Sequence, residues 1–384
     1  MELQVVFKLL FIVLVIMAAF LPLITWVERK QSAVMQDRIG ANRADVLGIT
    51  ALGLLHPAAD VLKLLTKEDV VPAGANRWIH QLAPVLALVP AIITLAVIPY
   101  GGIYQFDGWQ LNLVVSDIDW GMLYVFAVGS IATYGAVMAG WASNSNWGLL
   151  GSMRASAQMI SYEVTMGLSL VGLFMCFNTL KLTDISLAQD TTFRLFGFLE
   201  HFGLVAQLPS LLNHVTLPQW GLFLQPVGFI LFLTCIMAEN KRPPFDAPEG
   251  ESELVAGYHM EYSGMRFGLF YTAEFLEVPV IGMIVTALFL GGWAIPWLSQ
   301  SAIIGGLTPL LGVTLATVLC MVLHVVCFLV KVIVMIWLQM ALRWTLPRFR
   351  YDQVMDLCWK MILPLSIANA FITGGVILFM ERGA

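Results

Sequence analysis

Long apolar runs separated by short polar stretches dominate the chain. Eight stand out: Val5–Trp26, Leu82–Tyr100, Trp120–Trp141, Ala157–Phe177, Trp220–Ala238, Phe267–Leu290, Gly312–Gln339 and Met361–Met380. Each is close to the roughly 20 residues a helix needs to cross a bilayer. In lipid, every backbone polar group needs a partner within the chain, and runs of this length find it as helices. The pattern therefore predicts an all-α integral membrane protein with eight transmembrane helices. The first run has no basic n-region and continues straight into Glu28-Arg29-Lys30, so it reads as a retained helix and not a cleaved leader. With no internal repeat and no low-complexity segment, residues 1–384 form a single polytopic membrane domain.

A shorter pattern lies in the first polar stretch, residues 27–81. Leu54, Leu55, Ala58, Val61, Leu62 and Leu65 fall along one helical face, and His56, Asp60, Lys63 and Lys67 along the other. Pro57 suits the first turn of such a helix. A helix over Pro57–Lys67 would be about 16 Å long, too short to cross. It reads as an amphipathic helix at the membrane surface. An interfacial anchor is the ordinary explanation, but Asp60 between lysines adds nothing to an anchor and suits a site that positions a polar headgroup.

Composition sharpens the class. The 384 residues are 59% hydrophobic and 12% charged, where a soluble domain is about 45–50% apolar and about 25% charged. That excludes a soluble globular enzyme, a nucleic-acid binder and a disordered regulator. The net charge of −5 matters less than how the charges are sorted. Fifteen Lys and Arg fall in the loops after runs one, three, five and seven, against Lys181 and Arg194 on the opposite side. The positive-inside rule then makes those loops cytoplasmic and places both termini outside the cytoplasm. On this topology, 178–219 is a long outer loop. Cys176, Cys235, Cys320, Cys327 and Cys358 contain no C-x-x-C pair, so neither an iron–sulfur cluster nor a zinc site is expected within this chain. A lone intramembrane histidine, His324, argues against a bis-histidine haem.

Candidate chemistry gathers on the cytoplasmic side. Residues 239–277 hold Glu239, Asp246, Glu249, Glu251, Glu253, Glu261, Glu274 and Glu277 against only Lys241, Arg242 and Arg266, most of them in the acidic inner loop 239–266. Glu274 and Glu277 enter the sixth run, Glu163 lies inside the fourth, and Lys331 sits mid-helix in the seventh, where it calls for a carboxylate partner. Ionisable groups at such depth are costly and usually mark ion or proton paths. Some are accounted for by simple pairing with Arg242, Arg266 or Lys331; pairing of the whole set is a poor explanation. Desolvated carboxyls titrate near neutrality. A new unit charge about 10 Å away, at an effective dielectric near 20, is worth roughly 1.7 kcal/mol, or about 1.2 pKa units. A redox ligand changing charge beside such acids could move protons.

At these residues the sequence resembles a known family. Glu28-Arg29-Lys30 with Ala33, Gln36, Arg38, Gly40, Asn42 and Arg43 matches one signature, and His56-Pro57-Ala58-Ala59-Asp60 with Lys63 and Lys67-Glu68 a second. Ser161-Tyr162-Glu163-Val164 matches a third. The most specific block is Glu239-Asn240-Lys241-Arg242-Pro243-Pro244-Phe245-Asp246 followed by Glu249-Gly250-Glu251-Ser252-Glu253-Leu254-Val255 and Glu261-Tyr262-Ser263. Pro347-Arg348-Phe349-Arg350-Tyr351-Asp352-Gln353 and Trp359-Lys360 complete it. The family is the H subunit of NADH-quinone oxidoreductase, the proton-pumping respiratory complex I, and the matches run from Glu28 to about Pro364. Ala41 stands where the family has proline, and the outer loop 178–219 is longer than the family leads one to expect, which suits packing against another subunit.

The resemblance implies a quinone tunnel built by the first helix, the amphipathic helix and the sixth helix, with Glu28, Arg29, Arg38, Asp60, Lys63 and Arg242 along it. It implies an acidic funnel of Glu163, Asp246, Glu249, Glu251, Glu253, Glu261 and Glu274, to which the intramembrane Lys331 is added as a candidate on its depth alone. Quinone would be the substrate, with no covalently bound cofactor. Iron–sulfur clusters, FMN and NADH would belong to partner subunits: hydrophilic quinone-module subunits on the cytoplasmic side, antiporter-like and small membrane subunits laterally. A bacterial inner (plasma) membrane location follows, with surrounding lipid and no nucleic acid as partner, and no activity expected of the chain alone. The homologous membrane subunit of an ion-pumping hydrogenase or of a ferredoxin-fed relative shares most of these features. A secondary transporter would call for inverted repeats, and a passive anchor leaves Glu163, Glu274 and Lys331 unexplained.

Overall fold

The computed structural model describes Val6, Lys8–Leu10 and residues 20–106, 109–194 and 216–383. The chain is helical almost throughout. In order come α1 (Leu21–Met35), α2 (His56–Thr66), α3 (Arg77–Thr94), α4 (Gly121–Ala142), α5 (Asn146–Phe177), α6 (Leu182–Ala188), α7 (Pro226–Glu239), α8 (Gly264–Phe289), α9 (Gln300–Leu311), α10 (Val313–Thr345), α11 (Tyr351–Asp356) and α12 (Leu363–Gly383). A wider π-type turn, Leu357–Ile362, joins α11 to α12. Two small antiparallel sheets pair β1 (Ile103–Phe106) with β2 (Trp109–Asn112) and β3 (Thr192–Arg194) with β4 (Thr216–Pro218).

Six helical stretches among the described residues are long and apolar enough to span a membrane: α3, α4, α5, α8, α10 and the run Tyr351–Met380. They coincide with six of the eight expected runs. The first run lies largely outside the described residues; besides Val6 and Lys8–Leu10, which are helical, its end appears as the start of α1. The expected span Trp220–Ala238 is a 14-residue helix, α7, preceded by a separate turn, Gly221–Leu224. Gln225 breaks the run, with φ −134° and ψ 63°. Its side chain donates to Thr373 Oγ1 at 2.8 Å and accepts from Asn369 Nδ2 at 3.0 Å, joining this break to α12. Helix α9 falls in a stretch expected to be loop, and Gly312, at φ 77°, separates it from α10.

The predicted amphipathic helix is present as α2, one residue earlier than its expected Pro57–Lys67. Val61, Leu62 and Leu65 are exposed on it, and the half-exposed Asp60 turns toward Arg29 of α1. Within the long loop, α6 packs on α8 of this same chain, and Gln189 Nε2 donates to the carbonyls of Ala287 and Leu288 at 3.2 and 3.0 Å. Residues 195–215 lie outside the described part.

Helix α8 is the axis of the bundle. In its most apolar 18 residues, 83% are buried inside the protein, against 17% in those of Tyr351–Met380. A helix that is apolar all round belongs in such an enclosed position, and α1, α3 and α10 pack directly on it. Helices α3, α4 and α5 form a neighbouring layer, drawn together by small residues. A Cβ added at Gly135 of α4 would lie 2.8 Å from the Ala87 backbone nitrogen of α3. One added at Gly151 of α5 would lie 2.7 Å from the backbone of Gly257 and Tyr258, so α5 seats the turn that carries Tyr258 and His259.

Overpacking a tight helix contact typically costs about 1–3 kcal/mol. Gly135→Val is accordingly expected to lower the thermal unfolding midpoint of the detergent-solubilised chain. Gly167→Ala, whose new methyl would meet only the ring edge of Phe126 at 4.0 Å, should not. Equal midpoints for the two variants would refute the close α3–α4 contact.

Candidate functional site: two joined chambers at the acidic end

Helix α1 presents Thr25, Glu28, Arg29 and Ser32 on one face, and α8 presents Phe267, Phe270, Tyr271, Glu274 and Phe275. Both sets follow the three-and-four spacing of a single helical face. Between these faces and the segment 242–259 lies a cavity of about 580 Å³, closed at its far wall by Arg343, Trp344 and Arg348. A second cavity of about 390 Å³ lies between α1, α2 and α8, with Leu21, Pro22, Leu54, Pro57, Ala58 and Val61 among its lining. Thr25, Arg29, Phe267, Tyr271 and Phe275 line both. The two spaces therefore adjoin across one shared wall, one charged and one largely apolar.

Burial dictates how the charges are arranged. Glu28 is only 6% exposed, and a buried carboxylate must be paired or neutral. Arg242 Nη1 donates to its Oε2 at 3.3 Å and Arg343 Nη1 donates to its Oε1. The Arg242 guanidinium also lies over the Phe275 ring, 4.0 Å from its centre, a cation–π contact. The next residue, Arg29, turns the other way and donates to Asp60 Oδ2 of α2 at 2.5 Å. Consecutive residues of α1 thus hold the two chambers by separate ion pairs.

Deeper in the first chamber Glu249 and Glu274 lie beside His259 and Tyr258. Tyr258 Oη donates to Glu274 Oε1 at 2.9 Å, and His259 Nδ1 is 3.9 Å from Glu249 Oε1. Burial, and then the neighbouring Glu274 carboxylate, push the Glu249 carboxyl well above the usual carboxylate range. Burial likewise lowers the His259 imidazole, so it is neutral at pH 7. Donor atoms of Glu249, His259 and Glu274 lie within 4.8 Å of one another, the arrangement that could hold a metal ion. Arg348 Nη2 donates to the Asp246 carbonyl at 2.7 Å and pins the acidic segment to the end of α10.

From Glu274 the carboxyls continue sideways into the bundle. Glu277 feels the charge of Glu274, and Glu239 that of Glu277 and Glu163. Glu239 and Glu277 border a small cavity of about 70 Å³ whose walls are otherwise mostly apolar. At the far end, the Glu163 carboxylate accepts from Ser130 Oγ of α4.

Of the residues expected along a quinone path, Glu28, Arg29, Asp60, Lys63 and Arg242 line the chambers. Arg38 does not. It lies on the exposed turn after α1, with Nε donating to Gln36 Oε1 at 2.7 Å. Of the acidic set, Asp246, Glu249 and Glu274 line the first chamber and Glu163 ends the inner row. Glu253 is a surface partner of Arg154 at 2.6 Å, and Glu261 lies beside His80, away from the cavities. The side chain of Glu251 is outside the described part. Lys331 lies at the opposite end of α8 from Glu274, and its direct partners are not the carboxylate expected. Its Nζ donates to the carbonyls of Leu290, Gly292 and Ala294 at 2.7, 3.0 and 2.6 Å. Carbonyls freed at the end of α8 attract a cation, and the ammonium satisfies three of them. No sequence pattern singles out Arg343, Tyr258 or His259; in the sequence Arg343 is one of the orienting charges, and the fold brings it, in the last turn of α10, to the buried Glu28.

A helical, polytopic membrane protein with a charged cavity beside an apolar one defines the class. Residues 7–374 match the family model described as NADH dehydrogenase. The chain is 43% identical to the NADH-quinone oxidoreductase H subunit (form 2) of Geobacter sulfurreducens over 372 residues, 97% of this chain and 95% of that protein. It is 42% identical to the corresponding protein (form 1) of Geobacter metallireducens, over 96% and 94% of the two chains. With that of Cytophaga hutchinsonii (form 1) the identity is 41%, over 92% and 91%. The chain belongs to the family of the NADH-quinone oxidoreductase H subunit.

Removing one member of a buried ion pair typically costs about 3–5 kcal/mol. Glu28→Gln leaves Arg242 and Arg343 facing each other without their shared carboxylate. It should lower stability by that order in thermal unfolding, and Glu28→Gln combined with Arg343→Met should recover part of the loss. If the double variant is no more stable than Glu28→Gln alone, the triad does not hold this end together.

Proposed function

We infer that this chain forms the quinone-binding, proton-coupling element of its oxidoreductase. The observation that carries the reading is the shared wall between the two chambers. An isoprenoid tail suits the apolar chamber between α1, α2 and α8, and a polar quinone head suits the charged one beyond Tyr271 and Phe275. On this reading α2 lies at the bilayer surface with Val61, Leu62 and Leu65 toward lipid, and quinone passes in beneath it. The acidic end faces the cytoplasm of a bacterial inner membrane, as the sorting of Lys and Arg favours, with both termini on the other side.

Coupling follows from electrostatics. Glu249 already sits well above the usual carboxylate range because it is buried beside Glu274. Negative charge arriving on a quinone in the same chamber favours protonation of such a group, by roughly 1.7 kcal/mol at about 10 Å with an effective dielectric near 20. The row Glu274, Glu277, Glu239 and Glu163 then relays the change laterally toward antiporter-like subunits. Electrons come from iron–sulfur clusters, FMN and NADH held by partner subunits, and quinone is the substrate. By this account the chain is one part of a proton translocase, with no turnover alone. The names of its relatives favour a quinone enzyme over an ion-pumping hydrogenase.

In the assembled enzyme, Glu249→Gln is expected to lower coupled NADH:quinone turnover about tenfold, the scale of a 1.4 kcal/mol barrier change, with assembly intact on native gels. Wild-type rate and proton-to-electron stoichiometry would remove Glu249 from the path. Asp60→Ala, which releases Arg29 at the shared wall, should raise the apparent KM for quinone more than it lowers kcat. An unchanged KM would detach the apolar chamber from quinone binding.

A further inference from the structure

The sequence offers no metal motif, because the donors that meet in the first chamber come from separate segments: Glu249 from the acidic loop, His259 from the turn seated on α5, and Glu274 from α8. We propose that these three side chains form a binding site for a borderline-soft divalent cation of the Zn²⁺ type. A carboxylate oxygen from each glutamate and a ring nitrogen of His259 lie within 4.8 Å of one another. Zinc accepts both carboxylate oxygen and imidazole nitrogen at about 2.0–2.2 Å, and three protein ligands with water in the fourth position make an open site. Small rotations of the two glutamate side chains close that difference, and all three residues border the 580 Å³ cavity that supplies the water.

A second observation, separate from the clustering of acids, points the same way. His259 Nδ1 and Glu249 Oε1 face each other at 3.9 Å, shielded from solvent and without a hydrogen-bond partner of their own among the described residues, while the Glu249 carboxyl also shares a hydrogen bond with Glu274. Buried polar atoms are nearly always satisfied, and a cation placed between these two would satisfy both. Its surroundings are already oriented. The His259 ring is wedged between the rings of Tyr258, at 5.0 Å, and Phe267, at 5.4 Å. The Tyr258 hydroxyl donates to Glu274 at 2.9 Å, as the outer partners of metal ligands do. Charges facing the group come from one segment and one helix. Lys241 and Arg242 oppose a cation, while Asp246 and Glu277 favour it. Arg242 is engaged with Glu28 at 3.3 Å, and Lys241 Nζ lies 5.5 Å over the Tyr258 ring. The opposing pair makes this a reversible, regulatory site and not one on which folding depends.

The proposal is tested on the full chain in nanodiscs of neutral lipid, by equilibrium binding of radioactive Zn²⁺ and by Zn K-edge X-ray absorption. One saturable Zn²⁺ per chain is expected, in a nitrogen–oxygen shell with imidazole outer scattering. An excess of Mg²⁺ should not displace it, since Mg²⁺ takes oxygen ligands in octahedral geometry. His259→Asn should weaken binding about 10–100-fold, and Asp356→Asn, in a surface pair with Lys360, should leave it unchanged. A sulfur shell, displacement by Mg²⁺, or equal affinity in His259→Asn and wild type would each overturn the site. Should His259→Asn fail to insert, Glu249→Gln serves in its place, and the absorption spectrum of the unaltered chain decides alone. Binding is independent of the quinone reading, whereas slowing of coupled turnover by Zn²⁺ in the assembled enzyme depends on both, so the two can fail separately.

Discussion

Glu28 is taken out of water at the centre of the acidic end, and its neighbours are arranged around that fact. Its carboxylate receives Arg242 from the loop before α8 and Arg343 from the last turn of α10, so one ion triad ties together three stretches far apart in sequence. Such a group gains little net stability from burial, but losing one member leaves charge with no solvent to replace it. The triad therefore acts chiefly as a constraint on position. It fixes where α1 meets the acidic segment, and with it which face of α1 looks into the cavity.

From that constraint follows a division of labour among the charged residues. Those beside Glu28 are matched in sign and held by direct contacts, as Arg29 is with Asp60. Beyond them, toward Glu274 and Glu163, carboxyls follow one another with hydroxyl donors, Tyr258 and Ser130, and few cations. Matched charges are held by direct contact, whereas each crowded carboxylate raises the cost of ionising its neighbours. The change from paired to crowded occurs across the width of α8, through Tyr271, Glu274 and Glu277.

The helices were readable because lipid leaves the backbone few choices, and six of the expected runs are spans in the structure. Trp220–Ala238 misled because its interruption is a single polar residue, Gln225, whose role becomes visible only with its partners on α12. Helix α9 was hidden by Gly305, Gly306 and Pro309, which resemble a loop. At the site, Glu28, Arg29 and Arg242 are placed by the family's motifs, and Asp60 also by the charge pattern of its amphipathic helix. Pairing is a different matter. Nothing local to Arg343 or Lys331 tells that one finds a carboxylate on α1 and the other three carbonyls past α8. Glu253 and Glu261 show the reverse: they share the composition of the acidic segment, yet the short helical turn Glu251–Leu254 directs Glu253 to Arg154 at the surface.

The three carbonyls gripped by Lys331 bear on how α8 behaves as a body. Its far end is clamped to α10 by those bonds, and again by Gln189 from the end of α6. Pro279 lies between that clamp and the acids, where the ring removes one backbone hydrogen bond from the helix. A push on the cavity-lining turns of α8 thus meets a lever with a fixed heel and a weakened joint part-way along. The joint comes just after Glu277, so bending there moves Glu274 and Glu277 together relative to the carboxyls on neighbouring elements and leaves the far third of the helix at rest.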